Sequence, residues 1–175
     1  MSAHKPLEGV KVVELASFVA APTAGRMMAE MGADVIRVES TAGDPWRFYG
    51  ANCGLPITDE ENPLFDIYNL GKKDIQLNTK TPEGKEILFH LLDEADVFIT
   101  NNRLKSLVRS GLDYESLKDR FPKLIYGLVT GYGQTGPDVD APGYDGVAFF
   151  SRSGMLADMA EPSGYPASAP GCIGD

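Results

Sequence analysis

The sequence predicts an α/β protein built on a doubly wound parallel β-sheet. Short β-branched segments alternate with longer amphipathic segments from residue 10 to residue 130. The first strand–helix–strand unit takes only about thirty residues, as a βαβ unit does. The composition, with 43% hydrophobic and 23% charged residues, is typical of a globular domain with its own core.

The first predicted unit is a strand, a helix and a second strand. Residues 10–15, VKVVEL, are β-branched and follow a glycine, which predicts a strand. Residues 16–22 predict a turn, and residues 23–32 predict a helix that Thr23 caps and a glycine ends. Residues 33–40, ADVIRVES, predict the second strand. A right-handed crossover would place the two strands parallel to each other.

The same alternation continues along the chain. Residues 73–78 predict a strand, and residues 81–95 predict a helix in which Thr81 is the cap and Pro82 the first helical residue. The apolar face of this helix is expected to consist of Ile87, Leu88, Leu91 and Leu92. The remaining predicted elements are strands at residues 96–100 and 123–130 and a helix at residues 113–121.

Three segments are predicted to lack regular structure. Residues 43–63, rich in Gly, Pro and Asn, and residues 131–143 are expected to be irregular loops. Residues 159–175 carry three prolines and three glycines and predict no element. Since no strand after residue 130 completes the other half of a sheet, we expect residues 1–175 to be the N-terminal part of a longer polypeptide.

Charge and side-chain counts exclude several classes of function. The net charge of −9 argues against nucleic acid or an anionic membrane as the main partner. The cysteines are Cys53 and Cys172 and the histidines are His4 and His90, so that no metal site is predicted at known spacings. Two cysteines without an apolar leader segment favour a cytoplasmic location.

A ligand is expected beyond the carboxyl ends of the predicted strands. The first of these loops, ASFVAAPTAG, lacks the G-x-G-x-x-G pattern, which argues against a nicotinamide dinucleotide. Lys80, Arg103 and Arg109 follow neighbouring strands and are suited to an adenine nucleotide that carries an extra phosphate. The alternative is that these cations are only solvated surface side chains.

Several stretches occur together in the order and spacing of one enzyme family. They are PLEGVKVVELASFVAAPTAGRMMAEMGADVIRVE, NTKTPEGKEIL, ADVFITNNR, GYGQTGP and the closing GD. Together they resemble the class III (family III) CoA-transferases. SFVAAP, ENPLFDIYNLGKK and PGYDGVAFFSRSGM resemble the (R)-2-hydroxyacid branch, the 2-hydroxyisocaproate and phenyllactate CoA-transferases of amino-acid-fermenting anaerobes.

The resemblance implies an architecture and a set of partners. Residues 1–175 would form the N-terminal part of a large Rossmann-like CoA-binding domain, while a small domain and a return segment would lie in the C-terminal remainder of the polypeptide. Two subunits would interlock as a homodimer. The substrates would be an acyl-CoA and a free carboxylic acid, with coenzyme A as the carried group and no metal.

The resemblance also implies the site residues. Asp175, which follows a glycine after a Pro/Gly-rich loop, would be the catalytic nucleophile. An aspartate suits this role because it is already ionised at neutral pH and needs no general base. The CoA-contacting positions would be Val19, Ala20, Leu77, Lys80, Asn101, Asn102, Arg103, Arg109 and Tyr132.

Some positions depart from the formyl-CoA members of the family. They are Val19 in place of a glutamine, Ser40 in place of an arginine, Asn102 in place of an aromatic residue and Thr130 in place of a lysine. These differences argue against a formyl or oxalate substrate.

Three hypotheses about the function stay open at this point. The first is CoA transfer to a 2-hydroxy or aryl-2-hydroxy acid, with a carnitine-type transferase as a variant. The second is an α-methylacyl-CoA racemase, which Tyr144 disfavours because it takes the position of a histidine base and tyrosine is a poor base at neutral pH. The third is a nucleotide-binding module without catalysis.

Overall fold

The centre of the fold is a five-stranded parallel sheet. A computed structural model describes residues 4–58, 60–166 and 172–175. Its strands are Lys11–Leu15 (β1), Asp34–Glu39 (β2), Lys73–Gln76 (β3), Val97–Thr100 (β4) and Ile125–Leu128 (β5). All neighbours pair in parallel, in the order β3-β2-β1-β4-β5. The predicted doubly wound α/β sheet is therefore confirmed, and its switch point lies between β1 and β4.

Helices connect these strands and flank the sheet. They are Ala20–Glu30 (α1), Trp46–Tyr49 (α2), Pro63–Asn69 (α3), Pro82–Glu94 (α4), Leu104–Ser110 (α5), Tyr114–Leu117 (α6) and Met155–Asp158 (α7), with a 3-10 turn at Gly50–Cys53 and a π-helical turn at Gly146–Ser151. None of the helices in the described part of the chain combines the length and the apolar character of a membrane span.

Helix α4 follows its prediction closely. The Thr81 side chain accepts a hydrogen bond from the Gly84 N–H at 3.2 Å, which is the expected N-cap interaction. Leu88 and Leu92 are buried against the sheet. Ile87 was expected on the same face, but it is 47% exposed and does not belong to this buried cluster.

The start of helix α1 was predicted wrongly. The helix begins at Ala20 and Val19 is its N-cap, so Thr23 is not the cap. The Thr23 hydroxyl instead donates to the Val19 carbonyl at 2.8 Å, inside the first turn. Pro22, which favoured a turn in the sequence, lies in that first turn, where its missing N–H costs no helical hydrogen bond.

The segment at residues 43–63 is not the irregular loop that its composition predicted. It contains α2 and the 3-10 turn, which are organised around the buried side chain of Trp46. The Trp46 ring stacks on Tyr49 with centroids 4.6 Å apart, and its indole N–H donates to the Leu64 carbonyl at 3.1 Å. Elements of this length are stabilised by tertiary packing, which composition does not reveal.

Other short helices were also missed or overextended. Helices α3 and α5, seven residues each, were not predicted. The helix predicted at residues 113–121 is regular only over Tyr114–Leu117, where the Asp113 side chain accepts from the Ser116 N–H. Residues 131–143 are irregular as predicted, and so are the described parts of residues 159–175; residues 167–171 lie outside the described part.

The sheet separates two hydrophobic clusters. Alternate residues of a strand point to opposite faces, so that Val13 and Phe98 face the cluster under α4 and α5, while Val12 and Ile99 face the cluster under α1. Both faces of the inner strand β4 are covered in this way, and its sequence VFIT is accordingly almost continuously apolar.

The chain divides into two compact units between Val129 and Thr130. The first contains the five-stranded sheet with its helices. In the second, two loop segments come into close contact at a pair of glycines, since a Cβ added to Gly131 would lie 2.3 Å from the Cα of Gly143. A side chain at either position would push these segments apart.

Candidate functional site

A cleft of about 830 Å³ opens in the first unit at the carboxyl ends of the strands. Its walls come from the segments that follow β1, β2, β3 and β4 and from the facing sides of α4 and α5. This is where an open parallel sheet binds its ligands, so the cleft lies where the strand pattern placed a ligand site.

Three cationic side chains line the cleft: Lys80, Lys85 and Arg109. Lys80 and Arg109 were predicted there, and both are exposed. Lys85 was not predicted. It lies in the first turns of α4 with its ammonium 5.5 Å from the ring of Phe89. The position of Lys85 in the sequence could have indicated this. The first turns of a helix that follows a strand lie at the same edge of the sheet as the end of that strand.

The residues that the family resemblance assigned to CoA contact divide into two groups. Leu77, Lys80, Asn102 and Arg109 line the cleft, whereas Val19, Ala20, Asn101 and Arg103 are not among its lining residues. Two of the latter are at helix starts: Val19, which is buried, is at the N-cap position of α1, and Arg103 is at that of α5. That any of these residues contacts CoA stays a prediction.

Tyr132 belongs to the second unit. The guanidinium of Arg152 lies 5.0 Å from the centre of its ring. Arg152 also pairs with Asp138 at 2.7 Å, so one face of the tyrosine is occupied by a neutralised cation.

An ionic cluster is buried beside the cleft. Arg37, on β2, is fully buried and pairs with Glu39 and Asp44, and its Nε lies 3.4 Å from Glu14. Glu14 also accepts two hydrogen bonds from Lys72, at 3.0 and 2.8 Å. Burial is the largest influence on the Glu14 carboxyl and raises its pKa, although Lys72 and Arg37 oppose this shift.

This cluster was not predicted, although the sequence carries a signal for it. A sheet with both faces covered leaves no solvated strand face, so a charged residue inside such a strand has to be paired. Arg37 and Glu39 alternate with buried apolar residues in DVIRVE. Glu39 also pairs with Arg47 at 2.7 Å, so two arginines compensate its charge.

Helix α1 approaches the cluster at a glycine. A Cβ added to Gly25 would lie 1.8 Å from a carboxylate oxygen of Glu14. The absence of a side chain at Gly25 is what allows the helix to pack over this carboxylate.

The predicted nucleophile, Asp175, lies in the second unit. The backbone N–H of the preceding residue, Gly174, donates to a carboxylate oxygen of Asp145 at 2.6 Å. A Cβ on Gly174 would lie 2.1 Å from the Phe149 ring, so only glycine fits directly before the aspartate. Asp145 thus holds the backbone that presents the Asp175 side chain.

The neighbours of Asp175 also affect its ionisation. Partial burial, followed by the negative charge of Asp145, raises the pKa of Asp175, while a hydrogen bond with Cys172 acts in the opposite direction. The pKa of the Cys172 thiol is raised to about 11 by burial and by the charges of Asp175 and Asp145. Cys172 is therefore protonated at neutral pH, and a protonated thiol is a poor nucleophile.

Comparison with known proteins gives a consistent assignment. The sequence profile of CoA-transferase family III matches residues 7–175. The chain is 50% identical to cinnamoyl-CoA:phenyllactate CoA-transferase of Clostridium sporogenes over 95% of its length and 40% of that protein. It is 44% identical to (R)-2-hydroxy-4-methylpentanoate CoA-transferase of Clostridioides difficile, over 97% of this chain and 42% of that protein.

A solved structure agrees in fold. The CAIB/BAIF family protein from Brucella suis superposes with a TM-score of 0.88 and 40% identity, over 97% of this chain and 45% of that one. The chain thus spans somewhat less than half the length of the relatives it matches. Because the profile match extends over nearly the whole sequence, the chain belongs to CoA-transferase family III.

Proposed function

We propose that the full-length protein transfers CoA from an acyl-CoA to a free carboxylic acid, with an (R)-2-hydroxy acid such as phenyllactate or 2-hydroxyisocaproate as the partner acid. The observation that carries this proposal is the 50% identity to a phenyllactate CoA-transferase over 95% of the chain. The cation-lined cleft at the strand ends supports it, because CoA is an anionic nucleotide.

The nucleotide part of CoA would bind in the cleft of the first unit. Lys80, Lys85 and Arg109 line the cleft and carry the charge that phosphate groups require. Two acidic residues also line it, but Glu39 and Asp44 are both paired with arginines. Three cations against two carboxylates leave the charged side chains of the wall with a net positive charge.

The proposed reaction proceeds through the carboxylate of Asp175. The carboxylate attacks the thioester carbonyl of the donor, which forms an aspartyl–acyl anhydride and releases CoA thiolate. The thiolate then attacks the aspartyl carbonyl, and this gives a β-aspartyl-CoA thioester and the free donor acid. The acceptor carboxylate attacks that thioester to form a second anhydride. The expelled thiolate finally attacks the acceptor carbonyl, releasing the new acyl-CoA and regenerating Asp175.

An exchange assay on the full-length protein tests the proposal. Cinnamoyl-CoA is incubated with free phenyllactate, 2-hydroxyisocaproate or carnitine in deuterated water, and products are followed by mass spectrometry. We expect new acyl-CoA with the 2-hydroxy acids and no deuterium at the α-carbon. A 2-methylacyl-CoA, whose saturated α-carbon carries an exchangeable hydrogen, is incubated in parallel. Deuterium at its α-carbon without CoA exchange would indicate a racemase, and failure to bind CoA at all would favour a non-catalytic module.

Lys85 is predicted to contribute to the affinity for CoA. The Lys85→Met variant keeps most of the side-chain volume but removes the charge, and we expect the Kd of CoA to rise about tenfold. Lys118→Met is the matched control, since Lys118 pairs with Glu115 on α6 and does not line the cleft. Equal Kd values for the two variants, measured by calorimetry at fixed ionic strength, would contradict this role for Lys85.

The other family features remain predictions for the full-length protein. These are the small domain, the return segment, the interlocked homodimer and the cytoplasmic location.

A further inference from the structure

The loop that connects β1 to α1 has an unfavourable backbone conformation. Phe18 has φ = +63°, in the left-handed region that residues with a side chain rarely adopt. Such a conformation persists only where surrounding contacts hold it in place. The contacts that hold Phe18 and its neighbours therefore show how the conformation of this loop is maintained.

Asn101 holds the residue before Phe18. Its side-chain oxygen accepts from the Ser17 N–H at 3.1 Å, and its side-chain nitrogen donates to the Ser17 carbonyl at 2.7 Å. One amide side chain, directly after β4, thus satisfies both polar backbone groups of Ser17, the second residue after β1.

Asp44 holds Phe18 itself. Both of its carboxylate oxygens lie within hydrogen-bond distance of the Phe18 N–H, at 3.2 and 3.1 Å. The carboxylate is buried, also accepts from the Trp46 N–H at 2.8 Å, and is neutralised by Arg37. The loop is therefore held from the β4 side and from the β2 side.

The restrained loop forms part of the wall of the cleft. Ala16 and Ser17 line it, and so do Asp44 and Asn102, whereas Asn101 is not among the lining residues. The side chain of Asn101 is directed to the Ser17 backbone rather than to the cavity.

We propose that Asn101 is a positioning residue, which acts on CoA through Ser17 and keeps the β1–α1 loop in its binding conformation before the ligand arrives. This rests on the proposed CoA site. It replaces the direct CoA contact that the resemblance assigned to the Asn101 side chain. Preorganisation of this kind strengthens binding because the ligand does not have to order the loop.

Hydrogen exchange and CoA binding, both measured on the full-length protein, test the proposal. In the ligand-free Asn101→Ala variant, we expect exchange of the amides in residues 17–19 to accelerate about tenfold, while the strand amides stay protected. The Kd of CoA should rise about tenfold, and saturating CoA should restore the protection.

Asn62→Ala is the matched structural control. The Asn62 amide also joins two backbone segments, since it accepts from the Phe65 N–H and donates to the Arg47 carbonyl at 2.8 Å, but it does not line the cleft. This variant should lower the melting temperature without changing exchange at residues 17–19 or the Kd of CoA.

The outcomes separate the possible roles. A raised Kd with unchanged exchange in the ligand-free Asn101→Ala variant would overturn the proposal in favour of direct contact, and faster exchange with an unchanged Kd would overturn it as well. If that variant does not fold, Asn101→Asp keeps the acceptor for the Ser17 N–H and should show the same two effects in weaker form. A wild-type protein that does not bind CoA would instead refute the proposed function, while the exchange result in the ligand-free protein would still test the restraint.

Discussion

Replacing Asp175 with asparagine in the full-length protein is expected to lower the rate of CoA transfer by more than about 10³-fold. The amide has almost the same shape as the carboxylate, but it lacks the negative charge and cannot form the aspartyl anhydride. The Kd of CoA should stay within about twofold of wild type, because the substitution leaves Lys80, Lys85 and Arg109 of the cation-lined cleft unchanged. Steady-state transfer rates and calorimetry measure the two effects separately.

Two further measurements make this prediction specific. Asp158→Asn, at an exposed acid of α7 in the same unit, should transfer CoA at the wild-type rate. Hydroxylamine added during turnover should inactivate the wild-type enzyme and leave a hydroxamate on Asp175. A hydroxamate on any other residue, or an Asp175→Asn variant that transfers CoA at full rate, would refute the assignment.

The pH dependence of the transfer rate should reflect the ionisation of the Asp175 carboxylate. Partial burial and the charge of Asp145 raise the pKa of Asp175 above the ordinary value for an aspartate. The nucleophile is the ionised form, so the transfer rate should fall as the pH decreases through this raised pKa. A transfer rate that falls only at pH values below the ordinary pKa of an aspartate would contradict the described environment of Asp175.

The second large effect is expected on stability. Replacing Arg37 with methionine should lower the free energy of unfolding by about 3–5 kcal/mol, since it removes one partner from a buried ionic cluster. Glu14 keeps Lys72 and Glu39 keeps Arg47, but Asp44 loses the only ion-pair partner recorded for it in the described part of the chain. This loss is a large share of the roughly 5–15 kcal/mol that stabilises a typical domain.

Arg152→Met provides the comparison for an exposed arginine. Arg152 is 54% exposed at its side chain and pairs with Asp138, so solvent screens the pair and its loss should cost much less stability than the loss of Arg37. Urea titrations of both full-length variants, followed by circular dichroism, measure the difference. A similar small loss for both would show that the buried cluster is not required for stability.

Local signals in the sequence were sufficient for the class of fold. Runs such as VKVVEL and DVFIT are too short for helices and too apolar for loops, and they became β1 and β4. The Thr81–Pro82 pair placed the start of α4 correctly, because an N-cap depends on residues within one turn. The strand ends also located the cleft, with Lys80 and Arg109 in its wall. The family motifs supplied Asp175, whose role stays a prediction.

Only the tertiary structure decided which side chains meet. The hydrogen bonds between Asn101 and Ser17 join residues 84 positions apart, and they exist because β1 and β4 are neighbours in the sheet. The same holds for Glu14 and Lys72, which are 58 positions apart. Strand order, the burial of Arg37 and the short helices around Trp46 depend on packing between distant segments, and residue propensities describe only the neighbours along the chain.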